Sequence, residues 1–195
     1  MSKLCILDKL IIITSTILVS LIGYGICFGA SESRDYTQVT DHIYLEKGID
    51  ASEADLIQQY IDILPECIQQ YFVGDGEGKV YVVSSLPSNI KGRTYPDTKE
   101  VYIVVGYEFD CLLHEFAHIY LADNPFDSSF EDIYNEESEG LINAYWGTAS
   151  QYHYSNPTEY YCTAWNIVYM MQGNDELGVA PKTFEYFTNL FNEIY

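Results

Sequence analysis

The segment that most limits how this chain can fold is Cys111-Leu112-Leu113-His114-Glu115-Phe116-Ala117-His118-Ile119-Tyr120-Leu121. Its apolar residues cover every side of a helix, the pattern of a helix buried all round. Yet it carries two histidines and a glutamate, which are costly in such a place unless something pairs with them. Residues four apart lie on one helical face, so both imidazoles can reach a single metal ion. Glu115, beside the first histidine, falls near the open coordination position, where it can take a proton from metal-bound water. The pattern is H-E-x-x-H, and the expected cofactor is zinc, one ion per chain.

A tetrahedral site of this kind needs a third protein ligand. The H-x-x-G-x-x-H extension is absent, since Leu121 and Asn124 stand at its glycine and last histidine. The carboxylate candidates are Glu131, Asp132, Glu136, Glu137, Glu139 and Glu159. The first five form an acidic run, which is usually a solvated face. Glu137 lies at the separation that thermolysin-like enzymes use, but Gly140 stands where their Asn-Glu-x-x-x-Asp pattern needs its aspartate. Glu159 differs in being the only acid in an apolar helical stretch that runs through Tyr160, Tyr161, Cys162, Ala164, Trp165, Ile167 and Val168.

Upstream, His42–Leu45 has the composition of a first strand. Ser52-Glu53-Ala54-Asp55 opens a helix whose apolar positions continue through Tyr71. Gly74, Gly76 and Gly78 end it as a turn, without the Lys-Ser/Thr of a phosphate loop. Val80–Val83 and Val101–Val105 read as strands. The Pro/Gly/Lys loop between them, Pro87 to Lys99, holds Lys91, Arg93 and Lys99, a positive island. A solvated loop is the plain interpretation, and a substrate-facing rim is the sharper one. From Asp110 the pattern is helical, with Asp123-Asn124-Pro125 ending one helix and Pro157 and Pro181 opening two more.

The 195 residues suffice for one domain with its own core. A net charge of -20 argues against nucleic-acid binding, because phosphates would be repelled. Lys3 and Lys9 precede the uncharged run Leu10–Ala30, which reads as a secretion signal with an exit at Ala30-Ser31. The run is also long enough to span a bilayer, so an uncleaved anchor through residues 10–30 is the alternative and the one route to a membrane. The expected domains are a signal over 1–30 and a zinc metallopeptidase domain over 31–195, extracellular and monomeric. Loss of the leader leaves Cys67, Cys111 and Cys162, an odd count read as buried thiols, with a Cys111–Cys162 bridge as the alternative.

From Leu113 to Tyr195 the chain resembles the catalytic domain of anthrax lethal factor and the secreted Pro-Pro endopeptidases related to it. The resemblance is carried by His-Glu-Phe-Ala-His, by Glu139-Gly140, by Asn156-Pro157-Thr158-Glu159-Tyr160-Tyr161 and by Ala180-Pro181-Lys182-Thr183-Phe184. It implies an α+β, zincin-like single domain: a small mixed sheet, an active-site helix and a helical C-terminal half. It also implies His114, His118 and Glu159 as zinc ligands, Glu115 as general base, and a catalytic tyrosine seven residues before the ligand glutamate, which is Tyr152. Tyr154 is the reserve, and His153 between them is read as surface or substrate rim. The stretch from Gly140 to Tyr152 is longer than the family's, which leaves the shape of the cleft open. A free-standing domain with its own signal resembles the Pro-Pro arrangement more than the toxin's.

The function expected is hydrolysis of peptide bonds in a protein or peptide bound in extended form. Val101–Val105 is expected to be the sheet edge that pairs with it. The rivals are a zinc enzyme of other specificity, such as a wall-acting amidase or an exopeptidase, and an exported binding or adhesion module that keeps the zinc fold without turnover.

Overall fold

The computed structural model describes residues 34–195 other than 65, 75, 76, 148–150 and 195. Residues 1–30, expected to be a secretion signal or anchor, and the side chain of Cys67 lie outside the described residues. Every element belongs to the unit Tyr36–Tyr195. Strands β1 (Tyr36–Gln38), β2 (Ile43–Glu46), β3 (Lys79–Val83), β4 (Gly92–Tyr95) and β5 (Glu100–Val104) form one sheet in the order β1-β2-β3-β5-β4. The three central strands are parallel, and β1 and β4 close the edges antiparallel. Helices are α1 (Ser52–Asp62), a short α2 (Glu66–Gln69) running into a π turn (Gln70–Gly74), α3 (Glu108–Asp123), α4 (Ser128–Tyr145), α5 (Pro157–Met170) and α6 (Pro181–Ile194). This is the α+β class, with a mixed sheet and a helical C-terminal half.

Side chains alternate across a strand, and the central strands use the alternation fully. Ile43, Leu45, Val80, Val82, Val101 and Ile103 are buried on one face, in a common core with Ile57 and Ile61 of α1 and Leu112, Phe116 and Ile119 of α3. The opposite face carries one tyrosine from each strand. Tyr36, Tyr44, Tyr81, Tyr102 and Tyr95 form a continuous row, with neighbouring ring centroids 4.6 to 5.6 Å apart. In the C-terminal half, Phe130, Tyr160, Tyr161, Trp165 and Phe187 of α4, α5 and α6 make an aromatic core.

Three expectations change. The single helix expected from Ser52 to Tyr71 is broken: α1 ends at Asp62 and helix resumes at Glu66. The sequence places Pro65 in that gap, and proline has no amide hydrogen to continue a helix. The loop from Pro87 to Lys99 contains β4. As a result Val101–Val105 is not an edge. Strand β5 lies between β3 and β4, with its backbone engaged on both sides, so the strand open to an added chain is β4. Its sequence, Gly-Arg-Thr-Tyr, shows no apolar alternation because its inner face meets a functional carboxylate rather than the core.

Among the described residues no helix is long and apolar enough to cross a membrane. Cys162 is a fully buried free thiol, as expected of an inert core cysteine, whereas Cys111 is only half-buried.

Candidate metal centre

Helices α3 and α5 pack side by side, and their contact assembles the site. The start of α5 is fixed locally. Asn156 accepts a hydrogen bond from the Glu159 amide at 3.0 Å through its side-chain oxygen, and Pro157 supplies a preset first helical residue. Glu159 therefore sits in the first turn, facing the histidine pair of α3. His114 Nε2 lies 3.2 Å from His118 Nε2 and 3.3 Å from Glu159 Oε2, and His118 Nε2 lies 3.8 Å from Glu159 Oε1.

These spacings suit a cation. Ligand atoms bonded tetrahedrally to zinc at about 2.0–2.1 Å stand roughly 3.3 Å apart. Glu159 Oε2 is buried and makes no hydrogen bond despite its closeness to His114. A buried carboxylate oxygen without a donor is expensive, and a cation is the partner that would satisfy it. Burial, then the charge of His114, lowers His118 to about 4, so its ring is neutral and offers a lone pair at neutral pH. Burial would raise the carboxyl of Glu159, but the two imidazoles outweigh it and bring the group below its ordinary value. The donor set is two imidazoles and a carboxylate. Among the described residues His114, His118 and Glu159 form the one such group able to hold a metal ion.

The other carboxylates lie elsewhere. Glu137 caps α6: its oxygens accept from the amides of Lys182 at 3.1 Å and Thr183 at 2.8 Å and from the Thr183 hydroxyl at 2.8 Å. Those amides have no partner within their own helix, so a buried acid from α4 supplies one. The hydroxyl of Thr183 also meets Tyr160 at 2.6 Å. The Pro-Lys-Thr-Phe segment is thus a capped helix start. Glu136 pairs with Lys182, and Glu131, Asp132 and Glu139 are exposed.

Glu115 is 7% exposed and is held from the sheet edge. The Thr94 hydroxyl lies 2.6 Å from Glu115 Oε2, to which it donates. Gly92 leaves room for the same carboxylate, because a Cβ there would come within 2.3 Å of Oε1 and 2.8 Å of Cδ. Burial raises the Glu115 carboxyl; His114, Thr94 and Arg93 oppose it. Neither Gly92 nor Thr94 was singled out from the sequence; the signal was a Gly-x-Thr amid Pro and Lys, indistinguishable from a turn. Gly92→Ala is expected to displace the Glu115 carboxylate while leaving His114, His118 and Glu159 in place, which a crystal structure of the variant would show.

A cleft of about 760 Å³ opens over these groups. It is lined by residues of the 90–94 segment, Lys91 and Arg93 among them, and by Tyr107, Trp146, Tyr152 and His153. The positive loop is therefore a rim, through Lys91 and Arg93, while Lys99 turns away to Glu77 and Tyr71. Tyr152 is 61% exposed, on a 3₁₀ turn (Gln151–Tyr154), yet its phenol lies against Glu159. Burial of the phenol end, then the Glu159 charge, raises it and keeps it protonated. Tyr154 instead packs against the core, its carbonyl accepting from the Tyr134 hydroxyl. His153 is half-buried on the cleft wall, and burial followed by His114 lowers its pKa.

A mixed sheet with a helix-borne histidine pair beneath its edge strand, completed by a glutamate from a second helix, defines the zincin-like kind of domain. A family model described as "Anthrax toxin lethal factor, N- and C-terminal domain" matches residues 70–190. The chain belongs to that family. Among solved structures it is similar to a Pro-Pro endopeptidase (PPEP-2) from Paenibacillus alvei, with 19% identity and a TM-score of 0.55 over 76% of this chain and 96% of that one. A search of curated proteins finds no match.

Proposed function

We propose that the protein is an exported zinc endopeptidase, with His114, His118 and Glu159 as ligands, Glu115 as general base and Tyr152 as oxyanion donor. The observation that carries this reading is the convergence of three ligand atoms beneath an edge strand with the buried Glu115 carboxylate between them and the strand. Zinc, when bound, acidifies a water and polarises a carbonyl. The outer edge of β4 adds an extended peptide as a further strand, which lays a scissile bond along the cleft. Glu115 takes a proton from the attacking water and returns it to the leaving amine. The Tyr152 phenol, held protonated, donates to the carbonyl oxygen as charge grows on it.

The binding-module alternative has no use for a buried acid held by Thr94 and given space by Gly92. The family and the named activity of the Paenibacillus protein favour protein or peptide substrates over wall amides, and make Pro-Pro sequences the first to try. Export, by residues 1–30, and a monomeric state complete the proposal.

The test is a digest of a diverse peptide library, Pro-Pro sequences included, with and without a zinc chelator, the products read by mass spectrometry. Chelator-sensitive internal cleavage is expected; zinc binding without cleavage of any peptide would leave the binding module. Tyr152→Phe is expected to lower kcat by about 10²-fold or more with KM nearly unchanged, since the phenol acts on charge that develops only in the transition state. If Tyr154→Phe has that effect instead, the oxyanion donor is misassigned.

A further inference from the structure

Thr163 places a single hydroxyl between two imidazoles. It is 1% exposed on α5, one turn beyond Glu159, with Oγ1 3.2 Å from His114 Nδ1 and 3.0 Å from His153 Nδ1. A hydroxyl has one proton to give and lone pairs with which to accept. His114 serves as a ligand through Nε2, the nitrogen nearest His118 and Glu159, so its one ring proton resides on Nδ1. That proton goes to Thr163 Oγ1. With one lone pair so filled, the hydroxyl proton is available to His153 Nδ1, 3.0 Å away, and the relay has that nitrogen accept it. In its neutral form His153 therefore carries its own proton on Nε2. The opposite assignment, with Thr163 donating to His114, would put a proton on His114 Nε2 and block it as a ligand.

His153 stands on the cleft wall beside Tyr152, its ring 5.1 Å from that of Trp146 and 6.0 Å from that of His114. With Nδ1 tied to Thr163, Nε2 lies on the other side of the ring, and among the described residues no protein group bonds to it. We infer that His153 presents a fixed Nε2–H donor to a backbone carbonyl of the bound peptide, with its tautomer dictated by the metal ligand His114 through Thr163. This rests on the proposed metallopeptidase site and adds to it a second substrate donor and a positioning residue. Thr163 acts twice: it holds the ligand ring as an outer-shell acceptor, and it sets which nitrogen of His153 faces substrate.

The experiment has two readouts. Long-range ¹⁵N–¹H spectra of the zinc-loaded protein give the ring state of His153 directly: Nε2 protonated and Nδ1 bare is expected. Proton on Nδ1, or on both nitrogens at neutral pH, overturns the relay. Peptide turnover gives the consequence. His153→Phe is expected to lower kcat/KM by about ten-fold or more, the worth of one hydrogen bond, with one zinc retained. Unchanged kcat/KM in that variant overturns the donor role. Thr163→Ser is expected to keep both the tautomer and the zinc affinity, whereas Thr163→Val loses the tautomer and weakens zinc by roughly 10–100-fold. Loss of the tautomer in the serine variant also overturns the relay. A wild type that cleaves no peptide defeats the peptidase proposal, and its ring spectrum still decides the relay.

Discussion

Glu115→Ala is expected to abolish peptide turnover while leaving one zinc ion bound per chain. The two halves of that outcome come from different residues. Zinc retention follows because the three converging ligand atoms belong to His114, His118 and Glu159, none of which the substitution touches. Loss of turnover follows because Glu115 is the acid held by Thr94 and given space by Gly92. General acid–base catalysis by one positioned group is worth about 10² to 10⁴ in rate, so the residual activity falls by at least the lower figure. Glu115→Gln sharpens the test. The amide keeps the shape and can still accept from Thr94, so a misplaced peptide cannot explain its loss of rate. Removing a charge that burial already disfavours also makes the glutamine variant no less stable to heat than the parent. Peptide turnover, metal content and a melting curve on the two variants check all three points. Full turnover in either would remove the general base from the mechanism.

How much of this was legible in the sequence depends on whether a residue's role coincides with a periodic pattern. The histidine pair was legible because a helix puts positions four apart on one face, and because polar groups in an apolar helix demand a partner. The start of α5 was legible from Pro157, and the ends of α3 from Asn124-Pro125. Strand β4 was not. An edge strand pairs on one side only and needs no alternating apolar face, and here its inner positions are taken by the contacts that Gly92 and Thr94 make with Glu115. Function had erased the signal by which a strand is recognised. The misplacement of the open edge at Val101–Val105 followed from that, since a strongly apolar strand is more often central than peripheral.

The relay through Thr163 escaped for a different reason. A threonine inside a run of Tyr, Cys, Ala and Trp reads as one more core position, and only packing of α5 on α3 shows that it meets His114 and His153. Glu137 is the converse case. It sat in an acidic run and was weighed as a ligand, but helix α4 carries it to the amides that open α6. Sequence order gives the spacing of acids along a chain and nothing about which helix end they reach.

That contrast yields the second large effect. Glu159→Ala is expected to lose zinc and, with it, all turnover. Two imidazoles remain, their Nε2 atoms 3.2 Å apart, but the carboxylate that completes the set and would neutralise part of the ion's charge is gone. Losing one of three ligands from a site that must hold zinc against water and protons leaves an affinity too weak to survive dialysis. The fold should persist, because Glu159 lies at the cleft, and its removal relieves a buried oxygen that lacks a hydrogen bond. Glu137→Ala should behave in the opposite way. It leaves two amides and a hydroxyl of the α6 start without their acceptor, at a cost of about 2–3 kcal/mol, yet the zinc site keeps its three ligands. Metal content after dialysis and urea unfolding of the zinc-free proteins separate the two variants. Zinc lost with stability kept identifies a ligand, and stability lost with zinc kept identifies a cap. If the two results were exchanged, the third ligand would be Glu137, and α5 would have to turn its first turn away from the histidines.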